Sequence, residues 1–320
     1  MSARPVLTDA LHAAWGHPGT PRPQLRASQD AALRRLALHA YDQVRYYRRL
    51  FDRHRLLPRH LRGVVDLELV PPTGRDDLAA QDRSSLLARG SDPASLLAVR
   101  ADAGPVLYRT WLEDLLHLLH RVRALAGVGL EPGERVAIVR GGDGSDIERH
   151  RLALHLLGLR RRRVFGGPGD PAQQAREVAA FEPGVVAGTA AVLDRLAAAG
   201  AGIRPRLVVV EGRPPLPRLR ARLTDAFQAP VRAVYGLGAD TPLAAECRET
   251  GAFHASDGWA LLEVLVDGRP AAVGERGELA VTLLHSYAMP VLRYRLGHLA
   301  TRGGPCACGA PFSTILAPDA

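Results

Sequence analysis

Leu33, Leu36, Ala37, Ala40, Val44, Tyr47 and Leu50 recur at three- and four-residue spacing, which predicts an amphipathic helix over residues 28–51. Residues 1–27 ahead of it are rich in proline and alanine and are expected to form an irregular N-terminal arm. Pro71 and Pro72 end the helical pattern, and Gly74 opens a second short helix. At Thr110 the pattern changes. The stretch T-W-L-E at 110–113 is a capping box, in which a hydroxyl and a carboxylate satisfy free amides at a helix start. Short apolar runs at 136–139, 164–165, 185–187, 207–210 and 231–235 then alternate with helical stretches at 147–157, 171–181, 188–199 and 216–227. Strands separated by helices of this length imply crossover connections, and so an α/β fold with a doubly wound, mostly parallel sheet. Beyond Tyr235 the helices cease. Apolar runs at 260–266, 277–284 and 291–294 predict strands joined by turns at Asp267–Gly268 and at 274–277, a smaller antiparallel β subdomain. The organisation expected is an arm (1–27), a helical lead-in with a parallel α/β core (28–235) and a β subdomain (236–320).

Composition narrows the classes. At 320 residues, 47% hydrophobic and 23% charged, the chain is globular. It has no apolar run of the roughly 20 residues that span a bilayer and no secretory leader pattern, so a cytoplasmic protein without a membrane partner is expected. The net charge of +9 is carried by arginine alone, because the 320 residues contain no lysine. Arginine stays charged and does not replace lysine as a base or nucleophile, so no mechanism can draw a lysine from these residues. The one dense basic run, Arg160 to Arg163, has two readings: a solvated helix end, where cations are favourable, or a docking patch for an acidic carrier protein or a phosphate. Nucleic acid is not an expected partner, since aromatic residues make up only 5% and no stacking platform is visible.

The three cysteines, Cys247, Cys306 and Cys308, fall in the last quarter of the chain, with His254 close behind the first. Thiolates and an imidazole suit tetrahedral zinc, and four such ligands would close a structural site with no open catalytic position. Unpaired thiols in a reducing compartment are the other reading. A Cys306–Cys308 disulfide would be strained and would leave one thiol over.

The stretch A-M-P-V-L-R-Y-R-L-G-H at 288–298 is the most specific in the chain. It resembles the A-M-P-x-x-R-Y-R-x-G-D motif of the phenylacetate-CoA ligase-like branch of the adenylate-forming superfamily. The resemblance extends over about residues 30–315. Y-D-Q-V-R-Y-Y-R-R-L-F at 41–51 and L-V-P-P-T-G-R-D-D-L at 69–78 resemble the family's N-terminus, and Cys247, His254, Cys306 and Cys308 fall where the family carries A-E-C, G-x-H and C-x-C-G. It implies activation of a carboxylate on the α-phosphate of ATP, which needs a Ser/Thr/Gly phosphate loop, Mg²⁺ and a lysine. At each of those places this sequence departs. The phosphate loop is replaced by a stretch containing Asp102 and Gly104, without Ser or Thr. The G-E-P motif has Arg213 in place of glutamate, and Y-G-x-T-E reads Tyr235, Gly236, Leu237, Gly238, Ala239. Arg295 keeps its place in R-Y-R, but the ribose-binding aspartate is His298. The 320 residues also end before the family's mobile C-terminal domain with its catalytic lysine, so a truncated ligase is expected.

The functional expectation is a degenerate ligase-like protein with structural Zn²⁺ and without ATP or Mg²⁺. It would bind a small aromatic or acyl ligand in a cleft between the sheet and the β subdomain, as a partner subunit or a repurposed ATP-independent enzyme. The alternative is an active AMP-forming ligase completed by a partner, such as a full-length ligase. His298 is the candidate catalytic residue, because imidazole titrates near neutrality and here stands at a ligand position. His117, His120, His150 and His155 fall on helices with no metal or triad pattern, and the turn at 141–144 is a strand–helix connection that could also bind an anion.

Overall fold

A computed structural model of the chain describes residues 19–100, 106–131, 133–141, 162–166, 170–237 and 241–318. In chain order its elements are α1 (Arg22–Gln43), α2 (Arg45–Arg53), α3 (Arg75–Ala79), α4 (Arg83–Leu86), β1 (Leu97–Arg100), β2 (Val106–Arg109), α5 (Trp111–Gly127), β3 (Val136–Val139) and β4 (Arg162–Phe165). Next come α6 (Pro171–Ala180), β5 (Val185–Thr189), α7 (Ala190–Ala198), β6 (Leu207–Gly212), α8 (Pro217–Phe227), β7 (Val231–Gly236) and β8 (Pro242–Glu246). The last are β9 (Phe253–Ala255), β10 (Ala260–Val266), β11 (Arg269–Pro270), β12 (Arg276–Leu283), β13 (Tyr294–Arg302) and β14 (Thr314–Leu316). Two short 3₁₀ turns, Pro58–His60 and Val64–Leu69, link α2 to α3. The helix expected from residue 28 begins six residues earlier, at Arg22, with Pro23 in its first turn, where a missing N–H costs nothing. The helix expected at 147–157 lies outside the described residues.

The chain forms two compact units. Among the described residues, one spans 115–251, and the other joins 19–114 to 252–318. This differs from a division at residue 235, and long-range hydrogen bonds give the reason. Thr73 N–H donates to Arg293 O at 3.0 Å, and Ala88 N–H donates to Ala288 O at 2.9 Å, so the helical lead-in packs with the C-terminal strands.

In the unit Leu115–Gly251 the strands run β8-β7-β6-β5-β3-β4, parallel throughout except for the β7–β8 pair. The strands are apolar on both faces because both are covered. Val186, Val208 and Val210 point toward α6, α7 and α8, while Val185, Leu207 and Val209 point toward α5. That two-sided core makes the sheet doubly wound. Helix α6 starts as its sequence predicts, with Asp170 Oδ1 accepting the Ala172 N–H at 3.0 Å.

In the other unit β10, β12 and β13 form an antiparallel meander extended by β11, β14 and β9, and β1 and β2 make a separate hairpin. The capping box forms as expected. Thr110 N–H donates to Glu113 Oε2 at 2.7 Å, and Glu113 N–H donates to Thr110 Oγ1 at 3.2 Å. The other Glu113 oxygen accepts the N–H groups of Tyr287 and Ala288 at 2.5 and 2.9 Å, pinning the start of the 288–298 motif.

The strand expected at 291–294 begins only at Tyr294, because Arg293 has φ = +46°, which an extended strand does not allow. The Arg293 side chain is buried. Its Nε and Nη2 bond the Glu263 carboxylate on β10 at 3.1–3.2 Å, and its remaining N–H groups donate to the carbonyls of Glu68, Val70 and Gly268 at 3.1, 2.8 and 3.2 Å. Its backbone N–H donates to Thr282 Oγ1 on β12 at 2.9 Å. Removing one partner of a buried, satisfied ion pair leaves an uncompensated charge, so Arg293→Met is expected to cost about 3–5 kcal/mol in urea unfolding. Arg293→Lys should not restore it, since one ammonium cannot span a carboxylate and three carbonyls. A loss under about 1 kcal/mol in Arg293→Met would show that these contacts do not hold the unit together.

Candidate functional site

Three of the predicted metal ligands lie together in the unit that contains the antiparallel meander. His254 sits on β9, and Cys306 and Cys308 on the turn between β13 and β14. Their ligand atoms all fall within 4.8 Å of one another, with Cys308 Sγ 3.4 Å from His254 Nε2. A tetrahedral zinc with Zn–S near 2.3 Å and Zn–N near 2.0 Å has ligand–ligand edges of roughly 3.5–3.8 Å, so this donor set fits the ion. The tight C-x-C spacing works because Gly309, at φ = +78°, turns the chain back, its N–H donating to Cys306 O at 3.0 Å. Cys247 stands in the other unit, buried, its carbonyl accepting the Gly251 N–H at 3.2 Å in the turn that ends that unit.

The residues expected to border a nucleotide divide between the units. Arg213, Tyr235 and Gly236 lie at the carboxyl ends of β6 and β7, where open parallel sheets receive ligands. Burial pushes the Tyr235 hydroxyl well above the usual phenol range, and the nearby Arg213 guanidinium works the other way. Arg295 and His298 are on β13. Its pairing with β12 shifts between Glu278–Leu299 and Ala280–Arg295, which places a bulge at 296–298 around Gly297, at φ = +70°. Bulges re-aim side chains, and this one sets the direction of the half-buried His298. Arg295 is exposed, its backbone N–H donating to Thr73 O at 2.7 Å. Asp102, Gly104 and Ala239 lie outside the described residues, as do Gly238, His150, His155, Arg160 and Arg161. His117 and His120 are buried on α5.

Two polar features were not anticipated. The first is Asp257, in the turn before β10, buried at the floor of a groove of about 910 Å³ lined also by Arg22, Arg26, Val273, Arg302 and Phe312. Its Oδ2 accepts the Ser313 N–H at 2.6 Å, and its carbonyl accepts Gln29 Nε2 at 2.9 Å. Burial raises its pKa to about 6, against the opposing pull of Ser313, Arg22 and Arg26. In sequence, Ser256-Asp257-Gly258 reads as an exposed turn, so nothing local marks it. The second is a buried pair in the parallel-sheet unit, Arg121 of α5 with Glu211 of β6, joined at 2.6 and 2.5 Å. Its one sequence signal is a glutamate that prolongs the apolar run 207–210.

No protein-family profile matches the chain. It is similar to the phenylacetate-coenzyme A ligase of Thermus thermophilus, 29% identical over 311 residues that cover 90% of this chain and 68% of that protein. The phenylacetate-coenzyme A ligase of Escherichia coli is 26% identical over 301 residues, covering 85% and 66%. Over most of its length the chain is thus similar to phenylacetate-CoA ligases. It spans about two thirds of the length of these curated relatives. In fold it is similar to an open conformation of 2-hydroxyisobutyryl-CoA ligase in complex with 2-HIB-AMP and CoA. The TM-score is 0.77 at 17% identity, over 92% of this chain and 74% of that one. The same ligase in its postadenylation state with R3-HIB-AMP gives 0.78, also at 17% identity, over 93% and 70%. No helix among the described residues is long and apolar enough to cross a membrane.

Asp257 gives a pH dependence with a definite sign. Its folded pKa, about 6, is above the unfolded value of 3.8, so the stability it contributes is fully present below pH 3.8 and is lost as pH rises through 6. Asp257→Asn keeps an acceptor for Ser313 and removes the titration. Its stability relative to the parent should therefore climb from near zero at about pH 4 to as much as about 3 kcal/mol at about pH 7.5. Urea unfolding at the two pH values reads the difference, and a gap independent of pH would mean that Asp257 does not titrate in this range.

Proposed function

We propose that this ligase-like chain has lost the nucleotide chemistry of its family, and that it acts as a ligand- or carrier-binding partner or as an ATP-independent enzyme on small aromatic or acyl compounds. The observation that carries the reading is His298, standing in the β13 bulge at the place of the family's ribose-binding aspartate. An aspartate there accepts two hydroxyl hydrogen bonds with full negative charge; a neutral imidazole offers one acceptor. Further support comes from the sequence, with no Ser or Thr in the phosphate-loop stretch and Arg213 and Ala239 in place of two glutamates. The ligand is a small aromatic or acyl compound, free or tethered to an acidic carrier protein, with the arginine run at 160–163 the surface for the carrier.

The second reading is a working AMP-forming ligase completed by another polypeptide, such as a full-length ligase. Titration calorimetry with Mg-ATP separates the two. The first reading expects affinity no tighter than about millimolar and no ATP–pyrophosphate exchange with a panel of aryl acids. Micromolar Mg-ATP binding, or exchange with any of these acids, would overturn it in favour of the second.

We further propose structural zinc held by Cys247, His254, Cys306 and Cys308. Support comes from the proximity of the last three and from the seven-residue tether that links Cys247 to His254. When bound, the ion cross-links the β13–β14 turn to β9; with four protein ligands it offers no position for substrate. Metal analysis after chelator-free purification should find about one zinc per chain, and Cys308→Ser should lower both the zinc content and the melting temperature. A metal-free protein of unchanged stability would refute the assignment.

A further inference from the structure

The pair Arg121–Glu211 is out of keeping with its surroundings. Glu211 is the penultimate residue of β6, in register with Thr189 on β5 and Val234 on β7, and its side chain continues the face of Leu207 and Val209 toward α5. On the sheet that face is otherwise valine, alanine, leucine and isoleucine, and α5 also buries His117 and His120. An apolar pair of similar volume would hold the helix on the sheet at least as well, because two charges lose their hydration here. The geometry is that of a recognition contact. Nε and Nη2 of Arg121 meet the two carboxylate oxygens in a parallel fork, the arrangement by which arginine selects carboxylates over other anions. Its position is equally telling, since the carboxyl ends of parallel strands are where open α/β sheets take their ligands.

We propose that Arg121 is a carboxylate receptor at the carboxyl end of the parallel sheet, and that Glu211 is its resident occupant. The unit Leu115–Gly251 is then closed to acid ligands at this point by one of its own side chains. The contact is autoinhibitory in form: the ligand is covalently part of β6, and its local concentration exceeds that of any free acid. This deepens the reading of a chain that has left the family's chemistry and rests on it. The tests are separate, because the readout here is thermal stability without nucleotide, whereas that reading stands or falls on Mg-ATP.

Glu211→Ala leaves the guanidinium facing a void the size of an acetate or propionate ion. The variant should melt below the parent. Propionate at about ten times its dissociation constant should then raise the melting temperature by roughly 3–6 °C. Chloride at equal ionic strength and neutral propionamide should not, and the parent should not respond to propionate. The double variant Arg121→Leu/Glu211→Leu, which fills the space with apolar atoms, should fold and be indifferent to propionate. Should Glu211→Ala fail to fold in chloride buffer, its refolding yield in propionate against chloride reads the same preference. The proposal is overturned if Glu211→Ala shows no preference for propionate over chloride and propionamide in either measurement, or if the double variant responds equally.

Discussion

The unit that carries the family motif depends on one desolvated guanidinium. Arg293 lies beneath the meander with its charge met by Glu263 and its other donors met by three carbonyls, two from the 64–70 segment and one from the turn at Gly268. Such a group cannot be left half satisfied. A lone buried cation would cost several kcal/mol, so every partner must be in place together. The same residue has a positive φ and donates its backbone N–H to Thr282, so side chain and main chain both fix where β13 begins. The direction of Arg295, the bulge at 296–298 and the position of His298 follow from that start.

The two units reach order by different means. In the parallel-sheet unit, strands buried on both faces gain their stability from area removed from water, at about 25 cal/mol per Å². In the other unit, polar tethers across long sequence separations do much of the positioning: Glu113 on the amides of Tyr287 and Ala288, Tyr47 on the amide of Leu292, Asp257 on that of Ser313. Packing tolerates exchange among apolar residues of similar volume, whereas a tether fails when one atom is lost. Arg293 and the bulge at Gly297 fix the stretch of β13 that presents His298. A frame of this kind can persist while the groups presented on it change.

The sequence displayed what depends on neighbours in the chain. The apolar runs of the parallel strands, the Thr110–Glu113 box, the proline-led start of α6 and the strand Ala260–Val266 are local patterns, and all formed. What escaped depends on residues far apart. The hairpin β1–β2 and the short strands β8, β9 and β14 are too brief to show a period, and their pairing partners supply the reason they are strands. The strand expected at 291–294 failed because the demand for a positive φ at Arg293 comes from its tertiary contacts rather than from its residue type. Of the candidate site, the Cys306–Cys308 turn and the residues of the A-M-P motif were visible as residue types. Asp257 and the Arg121–Glu211 pair were not, because a charge in a turn or on a helix reads as solvated until the fold covers it.

These buried charges separate by their surroundings. Arg293, Arg121 and Glu211 each have a full counter-charge within hydrogen-bonding distance. Asp257 has only an amide and a hydroxyl from Ser313 and the more distant Arg22 and Arg26, and burial outweighs them, so its carboxyl holds a proton up to about pH 6. A hydrogen bond from a neutral donor offsets part of the lost hydration of a carboxylate; an arginine fork offsets most of it. Asp257 thus places a carboxyl with a pKa of about 6 in the groove beside α1, and the loop it holds through Ser313 is the one that carries Cys306 and Cys308.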